Sequence, residues 1–387
     1  MSTSQALLRR PLVARLLAAS LLGRLPTGMV PVALVLFSRG SSAGYGLAGL
    51  LAAAYTAGAA IGGPGLARLM DRTGQSRTVV GSGVVSSLAL GVLPLAGTVS
   101  GVAMAALAGL ATPPLEPGLR ALWPAVLPGP DVTRIYALDA AAQELIFIIG
   151  PLAVLAANAA GPAGGLVAAG VIGLLGTLWF ASAPASRRWR PAELAERHWA
   201  GALRPHRLRR LYLGVLLSGL TVGTFPVAAT AFGEAAGDRG WATWLVSANA
   251  LGAFLGGVWF SRRSERVSPG RLLPWLLGFL GLAHLPLALL PTASWVLPLA
   301  LALAVVSGVF LPPIMTCAFL VIDRLAPPGT VTEAFAWLIT AFLVGASTGA
   351  AMAGGLVANT AVFTVFLLAG ASSLLAALPV RALLPKT

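Results

Sequence analysis

Twelve stretches of this chain are each apolar enough and long enough to cross a bilayer, and that pattern excludes a water-soluble globule before any motif is read. A spanning helix needs about 20 apolar residues at 1.5 Å rise each. Stretches meeting this requirement are expected near 12–37, 44–67, 78–98, 100–124, 135–158, 162–183, 211–232, 241–260, 271–291, 294–320, 333–356 and 360–383. The 387 residues are 57% hydrophobic and 10% charged, whereas roughly a quarter of the residues in an ordinary soluble domain are charged. Too little polar surface remains to cover a globule. The expected fold is an all-α integral membrane protein with twelve transmembrane helices. The first stretch exceeds the core of a secretory signal and runs directly into the second, so no leader is expected to be removed. Cys317 is the lone cysteine and falls within the tenth stretch, so no disulfide framework is expected.

Short loops rich in Arg and Lys stay on the cytoplasmic side of a membrane, and here the basic residues alternate from loop to loop. Arg9 and Arg10 precede the first span; Arg68, Arg72 and Arg77 follow the second. Arg187, Arg188, Arg190, Arg197, Arg204, Arg207, Arg209 and Arg210 lie between the sixth and seventh, and Arg262, Arg263, Arg266 and Arg271 follow the eighth. Lys386 follows the twelfth, and the opposite loops carry only Arg39 and Arg239. Both termini are therefore expected in the cytoplasm. A formal charge of +14 would suggest nucleic acid in a soluble protein. Spread over membrane-flanking loops, it suits anionic lipid headgroups instead, and no nucleic-acid partner is expected.

The chain also repeats itself. "LAAAYTAGAAIGGPGLARLMDRTGQSR" (51–77) and "LVSANALGAFLGGVWFSRRSERVSPGR" (245–271) align without a gap. Gly58 meets Gly252, Gly62 and Gly63 meet Gly256 and Gly257, Arg68 meets Arg262, and Asp71–Arg72 meets Glu265–Arg266. "LLGRLPTGMVPVA" (21–33) parallels "LLSGLTVGTFPVA" (216–228), and "GLATPP" (109–114) parallels "GVFLPP" (308–313). An offset of about half the chain implies six helices followed by six of the same design. Parallel repeats of this kind are one of the plans of secondary transporters, with the substrate site between them near mid-membrane. The expected domains are an N-terminal bundle over 1–183, an Arg-rich linker over 184–210 and a C-terminal bundle over 211–387.

Within the repeat, "ARLMDRTGQSR" resembles the motif between the second and third helices of the major facilitator superfamily, G-x-L-A-D-R-x-G-R-R/K. Asp71, Arg72 and Gly74 stand at its positions and Leu69 at an apolar one; Ala67 replaces the leading Gly, and Gln75 and Ser76 replace the basic pair, with Arg77 just beyond. The resemblance implies a cytoplasmic gate of Asp71, Arg72, Gly74 and Arg77 with their repeats Glu265 and Arg266. In it, Asp71 accepts from the N-terminus of the eleventh span, where a helix favours negative charge. The bland alternative makes these charges topology determinants around a tight Gly74 turn, and it is the preferred reading for Arg68, Arg262 and Arg263. "IFIIGPLAVL" (146–155) resembles the superfamily's antiporter motif at Gly150–Pro151, where a Gly-Pro kink packed against neighbours is the structural alternative. "TEAFAWLITAF" (332–342) is similar to sugar-efflux-like exporters.

Ionisable groups inside a membrane are functional candidates by default. Arg24 lies midway along the first span; Glu116 and Arg120 share one face of the fourth; Asp139 and Glu144 lie in the fifth. Counting helical rise, Glu116 matches Glu144 in depth and Arg120 matches Asp139, so pairing across helices is allowed. The repeats of Arg24, Glu116, Arg120 and Glu144 are uncharged: Gly219, Met315, Phe319 and Leu343. Glu144 or Glu116 is the expected proton carrier, with Arg24 modulating it or anchoring an anionic substrate group. Asp323, Arg324 and Glu333 are expected in the gate network, His284 as a packed polar residue, and Trp123, Trp179 and Trp259 at the interface.

No phosphate loop, His-Glu metal pattern or nucleophile elbow is present, so no cofactor, no metal and no enzymatic activity are expected, with a membrane enzyme or lipid scramblase as the competing class. The expected function is a proton-coupled efflux antiporter for small amphipathic or hydrophobic molecules, monomeric, in the inner membrane. A sugar-type exporter or an uptake symporter is the alternative.

Overall fold

The computed structural model describes residues 7–40, 44–190, 200–238, 240–263, 268–291, 293–359, 362–381 and 383. Arg197, Arg239, Glu265, Arg266, Lys386 and the side chains of Arg39 and Arg263 lie outside them. Among the described residues there is no strand, and twelve helical segments are long and apolar enough to cross a membrane. Leu88, Leu152, Leu155, Leu175, Leu251 and Leu255 are among the large apolar side chains left exposed. That surface suits lipid and not water, and the chain is a multi-pass integral membrane protein.

In chain order the helices are α1 (Pro11–Arg24), α2 (Pro26–Gly40), α3 (Gly44–Thr73), α4 (Gln75–Val92), α5 (Thr98–Leu110), α6 (Leu115–Val126), α7 (Gly129–Ala157), α8 (Gly164–Ala181) and a short α9 (Pro184–Arg188). Then follow α10 (His206–Ala235), α11 (Gly240–Arg263), α12 (Pro269–Ala288), α13 (Leu297–Gly308), α14 (Leu311–Leu325), α15 (Val331–Asn359) and α16 (Val362–Arg381). Spans one, four and ten are each broken in two. Prolines sit at each break: Pro26 opens α2, Pro113 and Pro114 fill the gap before α6, and Pro312 and Pro313 lie in the first turn of α14. A proline lacks the N–H that a helix interior needs, but a first turn leaves that group unpaired anyway.

Several helices outrun their expected apolar stretches. α3 continues to Thr73 instead of stopping near 67, and α10 starts at His206 instead of 211. Arg and Asp at a helix end keep their charged tips in polar surroundings while the backbone stays helical, so hydropathy underestimates helix length. Only Gly74 separates α3 from α4; its φ of 94° is a left-handed conformation that costs glycine little.

The chain divides into two compact units. Unit 1 holds residues 1–129, 142–201 and 327–336; unit 2 holds 130–141, 202–326 and 337–387. The division cuts two helices: the first turns of α7 group with unit 2, and those of α15 with unit 1.

Each unit contains the same close crossing. In unit 1 a methyl added at Gly58 would strike the Ala106 carbonyl, one at Gly62 that of Leu110, and one at Gly109 that of Tyr55. In unit 2 the corresponding overlaps are Gly252 on Val305, Gly256 on Val309, and Gly308 on Asn249. α3 thus meets α5 backbone to backbone as α11 meets α13. In lipid, where apolar burial gives no preference for helix over acyl chain, such small-residue crossings supply the packing contacts. The apolar interiors also separate: Met29, Leu34, Leu51, Leu90 and Leu166 pack in unit 1, and Phe225, Phe232, Trp241, Leu287 and Phe366 in unit 2.

Candidate functional site

The breaks in spans one and four place the most concentrated charge in unit 1. Arg24 ends α1, Glu116 lies in the first turn of α6, and both positions suit their charge, a cation at a helix C-terminus and an acid at an N-terminus. An Arg24 Nη lies 3.2 Å from Glu116 Oε2, and Arg120 lies 2.6 Å from Glu116 Oε1, one turn along α6. Arg24 also donates to the side-chain oxygen of Gln143 on α7. Both guanidiniums are buried, so Glu116 works as the bridge between them. Gln143 escapes a search for ionisable groups because it carries no charge; a polar residue inside a span is its only sequence signal.

Glu144 follows Gln143 in unit 1 but turns to another side of the helix. It is half-buried and makes no hydrogen bond or ion pair among the described residues. The depth-matched pairing of Glu116 with Glu144 is therefore not what forms; Glu116 takes two arginines. Asp139 is fully buried and groups with unit 2.

Beside Arg24 lies a small pocket lined in part by Thr27, Tyr55, Ser86, Ser87 and Thr112. Thr27 donates to the Arg24 carbonyl at 2.7 Å, Ser86 to Ala108 at 2.9 Å and Ser87 to Gly170 at 2.9 Å. With those protons engaged, the hydroxyls present lone pairs, and the pocket offers acceptors around one cation.

A second cluster forms where α15 begins. Asp71 is buried, accepting from the backbone N–H of Thr332 at 3.2 Å and of Glu333 at 2.8 Å. These are among the first N–H groups of α15, which have no partner within their own helix, and the carboxylate sits where the helix dipole favours it. Arg68, one turn back on α3, pairs with the Glu333 carboxylate at 2.5 Å. The preferred reading of Arg68 as a topology determinant is thus incomplete: it reaches an acid 265 residues away, a partner that no local pattern reveals. Arg72 and Arg77 are exposed and hold no hydrogen bond or ion pair among the described residues. Gln75, in the position of a basic residue of the motif, is buried and donates to the Gly118 carbonyl at 3.0 Å, tying α4 to α6.

The remaining candidates are placed as follows. Gly150 of α7 abuts the backbone of Gly28 on α2, so a methyl there would collide. His284 is buried, hydrogen-bonded through Nδ1 to Leu280 at 2.8 Å and edge-on to Phe225. Trp179 and Trp259 are exposed, but Trp123 is fully buried, which corrects its assignment to the interface: its face of α6 turns inward, as an apolar count along the span does not reveal. Glu333 belongs to the Asp71 cluster, whereas Asp323 accepts instead from Tyr136 at 2.6 Å within unit 2.

Twelve spans in two repeated halves, with buried charge at broken helices, define a polytopic helical protein of transporter type. Residues 16–301 match the model of the Major Facilitator Superfamily, and the chain belongs to that superfamily. No curated protein matches it by sequence. Among solved structures it is similar to a bacterial homologue of the iron transporter ferroportin in its outward-facing state, at 19% identity and a TM-score of 0.77 over 96% of this chain and 98% of that one. It is also similar to the human organic anion transporter MFSD10 (14%, TM-score 0.76, 98% and 100% covered) and to the E. coli fucose:proton symporter FucP (14%, 0.73, 96% and 98%). At these identities the likeness is one of fold. The chain is a secondary transporter by family, and a fold of this kind serves unlike cargoes.

Proposed function

We propose that the chain is a proton-coupled exporter of small amphipathic or hydrophobic molecules, working by alternating access as a monomer in the inner membrane. The observation that carries this reading is Glu144, a half-buried carboxylate without a partner among the described residues, one position from the glutamine that Arg24 grips. Glu116 already bridges two guanidiniums, so its charge is compensated. Glu144 has no such compensation, and a proton supplies it. A guanidinium moving from Gln143 toward Glu144 favours the ionised form and expels that proton. In this reading Arg24 makes the exchange.

The moving bodies in this reading are residues 1–183 and 211–387, joined by 184–210, with the Arg-rich loops and both termini in the cytoplasm. Asp71 and Arg68 act as a releasable clasp on α15. The resemblance of Gly150–Pro151 to an antiporter motif favours export, and the prevalence of Ala, Leu and Gly in the spans suits greasy cargo. The test uses purified protein in liposomes under an imposed pH gradient, with proton flux followed against a panel of amphipathic cations, anions and sugars. Flux induced by amphipathic molecules and abolished by Glu144→Gln is expected. Persistence of coupled flux in that variant removes Glu144 from the mechanism, and gradient-driven uptake or flux induced by sugars alone overturns the exporter reading.

A further inference from the structure

Of the two helices that the unit boundary divides, α15 has an evident attachment at its start, the Asp71 cluster. The start of α7 has its own, on different chemistry. Residues 130–141 group with unit 2 while the rest of α7 groups with unit 1. Within that segment Tyr136 is fully buried and its phenol donates to Asp323 Oδ2 at 2.6 Å. The Tyr136 ring stands edge-on to Phe319, with centroids 5.6 Å apart at 67°. Phe319 and Asp323 are four apart on α14 and so share one face. Gly257 of α11 completes the seat: a methyl there would overlap the Ala141 side chain and crowd the Ala137 carbonyl.

We infer that Tyr136 and Asp323 form a second catch, in which a phenol-to-carboxylate hydrogen bond helps to pin the first turns of α7 within unit 2. Asp323 Oδ1 is buried without a hydrogen-bond partner among the described residues. The phenol is therefore the donor that this carboxylate has among the described residues, and losing it leaves a buried acceptor unanswered. The ring contact and the Gly257 seat are apolar and slide; the hydrogen bond has one geometry. Tyr136 and Asp323 are positioning residues for α7 and touch no cargo in this scheme. The catch gains its meaning in transport from the reading of Asp71 as a releasable clasp, but its existence is measured independently of transport.

The experiment is hydrogen–deuterium exchange on the full-length protein in detergent micelles without cargo. Tyr136→Phe keeps the ring and removes the donor; exchange across 130–141 is expected to rise about tenfold, the scale of one hydrogen bond, with 142–157 and 331–336 unchanged. Asp323→Asn keeps an acceptor and is expected to retain protection, whereas Asp323→Leu loses it. Exchange within twofold of wild type across 130–141 in Tyr136→Phe overturns the catch, as does a uniform rise over all helices, which reports general loosening. If Asp323→Leu fails to fold, the Tyr136→Phe result decides alone. Asp71→Asn, read in the same experiment at 331–336, separates failure of the clasp from failure of the catch.

Discussion

Units 1 and 2 are built on one packing plan and filled with different chemistry. The α3–α5 crossing of unit 1 returns as the α11–α13 crossing of unit 2, glycine for glycine. The polar interior does not return: where unit 1 has Glu116 between Arg24 and Arg120, the repeat positions of unit 2 carry Met315, Gly219 and Phe319. Close backbone approach tolerates no substitute for glycine, so duplication preserves it. A charge inside a membrane is costly and persists where it has partners or a task, and bridging partners must arrive together. Packing is therefore copied, while the Glu116 bridge between two arginines belongs to one half.

The largest blow to this contrast is Glu116→Leu. It takes the shared partner from two buried guanidiniums, and a loss of about 3–5 kcal/mol is expected. Met315→Leu at the repeat position, a swap of similar volume, is expected to cost less than about 1.5 kcal/mol. Thermal unfolding of the two variants in the same detergent measures the difference; equal midpoints would erase the asymmetry. Next come Gly62→Ala and Gly256→Ala, each forcing a methyl into a carbonyl of the facing helix. Both are expected to lose about 1–3 kcal/mol, while Gly63→Ala, which meets open space, stays within about 0.5 kcal/mol. Unequal losses at 62 and 256 would mean that the crossings are not true repeats.

Asp71→Ala strips two backbone N–H groups of their acceptor, and a local loss of about 1–3 kcal/mol is expected, read as faster amide exchange at 331–336. The smallest effect belongs to Arg68→Ala. Its guanidinium is a third exposed, and such pairs are worth about 0.2–1 kcal/mol and weaken with salt. Exchange at 331–336 in this variant should approach that of the wild type as salt rises.

The two helix starts sharpen the comparison further. At the start of α15 two backbone donors meet Asp71 and Glu333 pairs with Arg68; at the start of α7 the Tyr136 phenol meets Asp323. Hydropathy finds α7 and α15 but not these attachments, because partners 187 and 262 residues apart leave no mark on local pattern. The i,i+4 spacing of Glu116 and Arg120 is legible in sequence, since both lie on one helix. Gln143 is not, being one uncharged residue among many. Arg68 reads as a topology signal because loop charge and pairing charge are the same residue type, and Trp123 reads as an interface residue because position along a span says nothing of which face turns inward.

The order of residues alone determined the number of spans and the duplication, because a span is a run of apolar residues and a repeat is a pattern that returns along the chain. Which carboxylate is bridged, which is left without a partner, and which helix start each acid holds were decided only by tertiary structure. Those outcomes depend on where broken helices bring distant side chains within about 3 Å of each other, the range over which a hydrogen bond acts.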